Sequence, residues 1–105
     1  MKARMHLSFL LLFGISAINA QTSYYPIDSL FIQGEYPKVI DLCKELLAKD
    51  SLNPELYYKM GLAYQNLMIS DKSSACLIQA VKLAPENVKY NFSLGKYYYT
   101  TGKTK

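Results

Sequence analysis

The sequence predicts an all-α protein built from tandem antiparallel helix hairpins, and three observations support this. After residue 25, apolar residues recur at three- and four-residue spacings, as they do on one face of a helix. Helix-start signals and helix-stopping glycines separate these stretches by short connections, which is typical of helix hairpins. Related residues recur 34 positions apart, so we expect successive repeats of one hairpin unit.

The first 20 residues carry the features of an export signal. Lys2 and Arg4 precede the apolar run Leu7–Ile18, and the small residue Ala20 ends the segment. This order is that of a secretory signal peptide, and the run is shorter than the roughly 20 residues that cross a bilayer. We therefore expect cleavage after residue 20, a periplasmic or secreted mature chain, and no membrane insertion after cleavage. An uncleaved anchor and a buried core helix are the alternatives.

Charge and residue types argue against most enzyme chemistry and against nucleic-acid binding. The net charge is +4, and two of the basic residues belong to the predicted signal, so the excess in the mature chain is small and scattered. His6 is the only histidine and would leave with the signal. Histidine general bases, histidine-containing triads and most transition-metal sites would then be absent. We expect no enzyme activity, no catalytic residue, no cofactor, no metal and no nucleic-acid partner.

The first predicted hairpin runs from Pro26 to about Asp50. Pro26 suits a first helical turn, and Gly34 suits a helix stop. Pro37 opens the second helix. Its predicted buried stripe consists of Val39, Ile40, Cys43, Leu46 and Leu47.

The second hairpin begins at Asn53-Pro54-Glu55, where an N-cap residue precedes a proline and an acid. Its first helix is predicted to end near Met68, and Ser70-Asp71 are predicted to cap the next helix. The predicted stripe of that helix is Ser73, Leu77, Ala80 and Val81. Asn87 is then predicted to cap a further helix, which ends at Gly102.

The 34-residue period resembles that of the tetratricopeptide repeat family. The residues that carry the resemblance are Tyr57-x2-Met60-Gly61-x2-Tyr64, Ser73-x3-Leu77, Ala80 and Pro85, and then Asn91-x2-Leu94-Gly95-x2-Tyr98. The resemblance implies a short right-handed α-solenoid over residues 21–105, with units at about 21–53, 54–87 and 88–105, the last incomplete. Tyr57 and Asn91 replace the family's tryptophan, and Met68-Ile69-Ser70 replaces its glycine turn.

The resemblance also divides the residues into a core and a concave groove. It implies that the core contains Tyr57, Gly61, Tyr64, Leu77, Ala80, Leu94, Gly95 and Tyr98. It implies that a partner-binding groove is lined by Tyr58, Leu62, Gln65, Asn66, Phe92, Lys96 and Tyr99. Packing against other helices is the alternative role for each of these groove residues.

Together with the predicted signal, this resemblance implies an exported protein–protein interaction scaffold. Such a scaffold would present its groove to a peptide or partner protein. One alternative is the docking or sensory front of a longer exported or membrane signalling protein. Another is a non-catalytic subunit of an envelope complex. The incomplete third unit leaves its last helix bare, which predicts a longer chain, coverage by another molecule (self-association included), or fraying. Cys43 and Cys76 are expected to be small buried hydrophobes, with a cross-link left open.

Overall fold

Five α-helices and no strand make up residues 25–103, the part of the chain that the computed structural model describes. The predicted signal segment, including its cleavage after residue 20, lies outside the described residues. The helices are α1 (Tyr25–Ile32), α2 (Tyr36–Leu47), α3 (Pro54–Asn66), α4 (Ser70–Leu83) and α5 (Val88–Thr101). Each packs mainly against its neighbours in sequence. The prediction of an all-α chain of helix hairpins is confirmed.

Asparagine caps begin α3 and α5, as the sequence predicts. The Asn53 side-chain oxygen accepts a hydrogen bond from the Glu55 backbone N–H at 3.1 Å, and Pro54 is the first helical residue. The Asn87 side-chain oxygen accepts one from the Tyr90 N–H, also at 3.1 Å. Each cap satisfies a backbone donor that the first helical turn leaves without an intrahelical acceptor.

The predicted cap of α4 is wrong. Ser70 is already the first helical residue, and Ile69 holds the N-cap position without any side-chain hydrogen bond. Backbone bonds define this start instead, because the Ile69 N–H donates to the Tyr64 carbonyl at 2.9 Å and the Ile69 carbonyl accepts from the Ser73 N–H at 3.0 Å. The tight turn leading out of α3 therefore fixes where α4 begins.

The turn after α3 contains a residue with a left-handed backbone, and the equivalent residue 34 positions before or after it is left-handed too. Gly34 has φ +77°, Met68 has φ +61° and Gly102 has φ +69°. The Glu35 N–H bonds to the Leu30 carbonyl at 2.9 Å, which is the same bond that Ile69 makes with Tyr64 one period later. Met68 thus has the left-handed backbone of Gly34 and Gly102. Its Cβ makes this conformation sterically costly, and glycine avoids that cost.

Two hydrophobic clusters form the core. The larger contains Ile27, Val39, Ile40, Cys43, Leu56, Met60, Ala63, Tyr64 and Cys76. The smaller joins α4 to α5 through Leu77, Leu94 and Tyr97. The burial of Tyr90 and Tyr97 was not predicted, although they stand 34 positions after the buried Leu56 and Ala63.

The helices α3 and α4 approach each other closely at Gly61. A Cβ on this residue would come within 3.0 Å of the Leu77 Cδ2 and 3.2 Å of the Cys76 Cβ. The same approach lets the buried Ser73 hydroxyl donate to the Gly61 carbonyl at 2.9 Å. The predicted core role of Gly61 is confirmed, and serine fits here because its hydroxyl has an acceptor.

The predicted core role of Gly95 is wrong. Gly95 is exposed, and a Cβ built on it would have no heavy atom within 4 Å, while Tyr98 is only half-buried. The reason is that Gly61 lies against α4, and within residues 25–103 no helix occupies the equivalent place beside α5. The repeat period gives the position of a residue in its own unit, but burial depends on the neighbouring helix.

The two helical glycines should therefore respond oppositely to alanine. Gly61→Ala should lower the free energy of unfolding by about 1–3 kcal/mol, because Leu77 and Cys76 must move. Gly95→Ala should raise it by about 0.5–1 kcal/mol, because only helix propensity changes there. Urea denaturation followed by circular dichroism at low protein concentration measures both. Equal changes at the two positions would contradict the assigned packing.

Met68→Gly should stabilise the protein by about 0.5–1 kcal/mol. Glycine relieves the left-handed strain, and its larger unfolded-state entropy offsets part of the gain. Little packing is lost, because Met68 is 89% exposed. Met68→Ala is the matched control: it keeps a Cβ and should leave the melting temperature nearly unchanged. A lower melting temperature for the glycine variant would rule out the strained turn.

Candidate protein-binding groove

Charged and aromatic side chains link the three helices α1, α3 and α5, which we call the A helices. Lys59 on α3 forms an ion pair with Asp28 on α1. Glu55 on α3 forms an ion pair with Lys89 on α5 at 3.0 Å. These contacts hold each A helix to the next, independently of the apolar packing through α2 and α4.

Glu55 is the centre of this network. Its side chain is 25% exposed, and it accepts hydrogen bonds from the Lys89 ammonium at 3.0 and 3.1 Å and from the Tyr90 hydroxyl at 2.5 Å. Lys59 lies 3.7 Å away. Burial alone would raise the pKa of Glu55, but the Tyr90 and Lys89 hydrogen bonds and the two lysine charges outweigh it and lower that pKa. Glu55 is therefore ionised at neutral pH.

Tyr58 joins this network to the groove. Its ring lies 5.0 Å from the Tyr90 ring, and the Lys89 ammonium lies 4.8 Å from the centre of the Tyr58 ring. An aromatic pair with a cation over one ring is a favourable arrangement. Tyr58 is therefore held in place from the α5 side while its other side remains available to the groove.

A cavity of about 320 Å³ lies between α1 and α3. Most of its lining is apolar, and the charged residues beside it, Asp28 and Lys59, neutralise each other. The lining residues are Ile27, Asp28, Phe31, Ile32, Tyr58, Lys59 and Leu62. This volume is at the lower end for ligand pockets, which suits an anchoring side chain of a partner better than a large cofactor.

The structure brings together two of the seven predicted groove residues in this cavity, Tyr58 and Leu62. Gln65 is half-buried, and the exposed Asn66 donates to the Leu62 carbonyl at 2.9 Å. The three predicted residues on α5 are exposed and do not line the cavity: Phe92, Lys96 and Tyr99. The assignment of all seven to partner binding stays a prediction.

Helix α1 contributes to the cavity residues that were not predicted from the sequence. Phe31 and Ile32 line it, and they stand 34 positions before the predicted Gln65 and Asn66. Applying the repeat period backwards would therefore have found them. The first unit has Pro26-Ile27 where the later units have Met60-Gly61 and Leu94-Gly95, so its motif is weak.

Both cysteines are buried in the core, as predicted, and both are free thiols. Burial raises the pKa of Cys43 to about 12 and that of Cys76 to about 11, although Lys59 and Lys44, respectively, act in the opposite direction. A thiol with so high a pKa is a poor nucleophile at neutral pH. The described cysteines are thus packing residues.

Residues 25–103 contain neither a cluster of metal-binding side chains nor a helix that could cross a membrane. Nowhere in this range do three or more histidine, cysteine, aspartate or glutamate residues cluster closely enough to hold a metal ion. No helix in it is both long and apolar enough to span a bilayer.

Two solved structures resemble this arrangement of helices. One is the MamA RS-1 ArsTM double mutant and the other is MamA 41-end from Desulfovibrio magneticus RS-1. Each is 26% identical to this chain with a TM-score of 0.71. The chain has a tetratricopeptide-like helical-repeat fold. No protein-family model matches the chain, and no curated protein matches it.

The tetratricopeptide-like match covers 77% and 78% of this chain but only 46% of each MamA chain. The chain therefore spans less than half the length of the MamA structures that it matches. The likeness supports the predicted fold and, at the level of the fold, a role in protein interaction.

The lowered pKa of Glu55 predicts a loss of stability in acid. The ionised carboxylate stabilises the fold at every pH above the unfolded-state pKa of about 4.3, and this contribution is lost as the pH falls through the lower folded-state pKa. Wild type should therefore lose more stability than Glu55→Gln between pH 5 and strongly acidic conditions. Melting temperatures over this range measure the difference.

The matched control for this prediction is Glu86→Gln, which changes an exposed carboxylate in the turn before α5. Its acid profile should follow that of wild type. Tyr90→Phe should shift the wild-type acid transition to higher pH, because Glu55 loses a hydrogen-bond donor. Parallel profiles for Glu55→Gln and wild type would contradict the network.

Proposed function

We propose that this protein is an exported helical-repeat scaffold that binds a peptide or partner protein in the groove formed by α1, α3 and α5. The observation that carries the proposal is the apolar cavity between α1 and α3, flanked by the ion pair of Asp28 and Lys59. The tetratricopeptide-like fold supports the general role in protein interaction.

Binding would be passive and would depend on a preformed receptor. Glu55, Lys59 and Lys89 already satisfy one another, so a ligand need not rearrange them. An aliphatic or aromatic side chain of the partner would enter the cavity, and burying such a side chain contributes about 1.5–3 kcal/mol. A rigid receptor loses little entropy on binding, which favours affinity.

The remaining groove residues would extend the contact beyond the cavity. Gln65 and Asn66 lie at the end of α3, where their amides would bond the backbone of an extended peptide. Tyr58 would be the central anchor, since aromatic residues are common at binding hot spots.

Site-specific photocrosslinking in the native cell tests the groove. A benzophenone amino acid at Ile32, which is 85% exposed at the cavity edge, should give an adduct of defined mass. The same probe at Leu52, which is 71% exposed in the turn before α3 and outside the cavity, is the matched control. Leu62→Glu should abolish the Ile32 adduct without changing the helical signal. Equal adducts at both positions, or none at Ile32, would reject the groove.

Export is a separate part of the proposal and rests on residues 1–20. Lys2 and Arg4, the apolar run Leu7–Ile18 and the small Ala20 support it. The intact mass of the chain isolated from each compartment of its native cell tests it. A chain starting at Gln21 in the exported fraction is the expected result, and an unprocessed chain confined to the cytoplasm would reject export. Neither outcome bears on the groove.

A further inference from the structure

One face of α5 is exposed, aromatic and free of charge. Val88 is 82% exposed, Phe92 69% and Tyr99 89%, and Gly95 lies between them. Asn91 and the half-buried Tyr98 complete the face at helical spacing, and we call this surface the α5 face. The opposite side of the helix packs on α3 and α4 through Tyr90, Leu94 and Tyr97. Within residues 25–103, nothing covers the α5 face.

Gly95 indicates that a helix belongs there. Glycine inside a helix costs about 0.5–1 kcal/mol relative to alanine, and at Gly95 nothing within 4 Å accounts for that cost. Gly61, one period earlier, shows the use of the position, because its missing Cβ lets α4 approach closely. The α5 face therefore has the same geometry as the face of α3 on which the antiparallel helix α4 packs.

Lysines line one edge of this face. Lys89 and Lys96 are spaced seven residues apart, about two helical turns, and Lys103 follows Gly102, whose left-handed backbone ends the helix. Lys89 is paired with Glu55, and Lys103 lies 3.9 Å from an almost fully exposed Asp71. No ion pair joins Lys96 to another described residue. Lys96 is thus an exposed cation without an ion pair to the described residues, at the place where a covering helix would pass.

The charges distinguish between two occupants of the face. An antiparallel, two-fold pairing of α5 with a second copy would bring both lysine rows to the same flank and make them repel each other. A parallel pairing would align the two helix dipoles unfavourably. A helix with carboxylates along that flank would instead form an ion pair with Lys96.

We propose that the α5 face binds an acidic amphipathic helix of a partner protein, antiparallel to α5, with a small residue opposite Gly95. The model for the contact is α4 on α3, where Ser73 bonds to the Gly61 carbonyl and Leu77 lies against the glycine. Phe92, Lys96 and Tyr99 then belong to this surface rather than to the cavity between α1 and α3. The proposal does not depend on the cavity between α1 and α3, so binding at either place can fail alone.

A synthetic peptide based on α4 is the probe. It carries residues 70–83 with Cys76→Ser, and it exists in two forms. In the acidic form Ser74 and Ile78 are glutamate, and in the basic form they are lysine. Helix geometry places these two positions on the flank that would meet the lysine row. Binding to the full chain is measured by fluorescence anisotropy at low salt.

The acidic peptide should bind with a micromolar Kd, at least tenfold more tightly than the basic one, and its affinity should fall as salt rises. Gly95→Leu should weaken binding at least tenfold while preserving helicity, because the leucine blocks close approach without meeting an internal neighbour. Lys96→Glu should reverse the preference between the peptides, whereas Lys82→Glu, on the exposed side of α4, should leave it unchanged.

Three results would overturn the proposal. One is the absence of binding at millimolar peptide. Another is binding that Gly95→Leu leaves unchanged, which would put the peptide elsewhere. The third is a concentration-dependent dimer in sedimentation velocity that Gly95→Leu abolishes, which would make a second copy the occupant. The salt dependence and the charge reversal at Lys96 distinguish docking from a general loss of structure.

Discussion

The close approach of α3 and α4 at Gly61 is the constraint on which the rest of the structure depends. These two helices form the most extensive contact of the described chain, and α4 carries residues of both hydrophobic clusters, Cys76 in one and Leu77 in the other. The distance between the helices depends on the missing Cβ of Gly61 and on the bond from the Ser73 hydroxyl to its carbonyl. A larger residue at Gly61 would therefore disturb both clusters as well as the contact between α3 and α4.

The A helices have a second set of links, made of charges rather than apolar surface. Asp28, Lys59, Glu55 and Lys89 alternate in sign from α1 through α3 to α5, and the Tyr90 hydroxyl completes the coordination of Glu55. Partial burial strengthens such links compared with pairs that are fully in water. The charged groups beside the cavity, Asp28 and Lys59, therefore already have partners, and the rest of its lining is mostly apolar.

The two candidate binding surfaces differ because the two ends of the stack differ. Between α1 and α3, Tyr58 and Leu62 face a neighbouring A helix, and a bounded cavity results. On α5 the equivalent positions, Phe92 and Lys96, face no described helix and form an open surface. The same positions in the repeat thus line a cavity in one place and an open surface in another.

The sequence by itself determined the helices, their asparagine caps, the left-handed glycine turns and the repeat period. These features depend on contacts between residues close together in the chain, so a local pattern is sufficient to predict them. The tertiary structure decided that Gly61 is packed while Gly95 is open, that Tyr90 and Tyr97 are buried, and that α1 contributes Phe31 and Ile32 to the cavity. Burial and cavity shape depend on which helix lies beside a residue, and repeat-equivalent residues can have different neighbours.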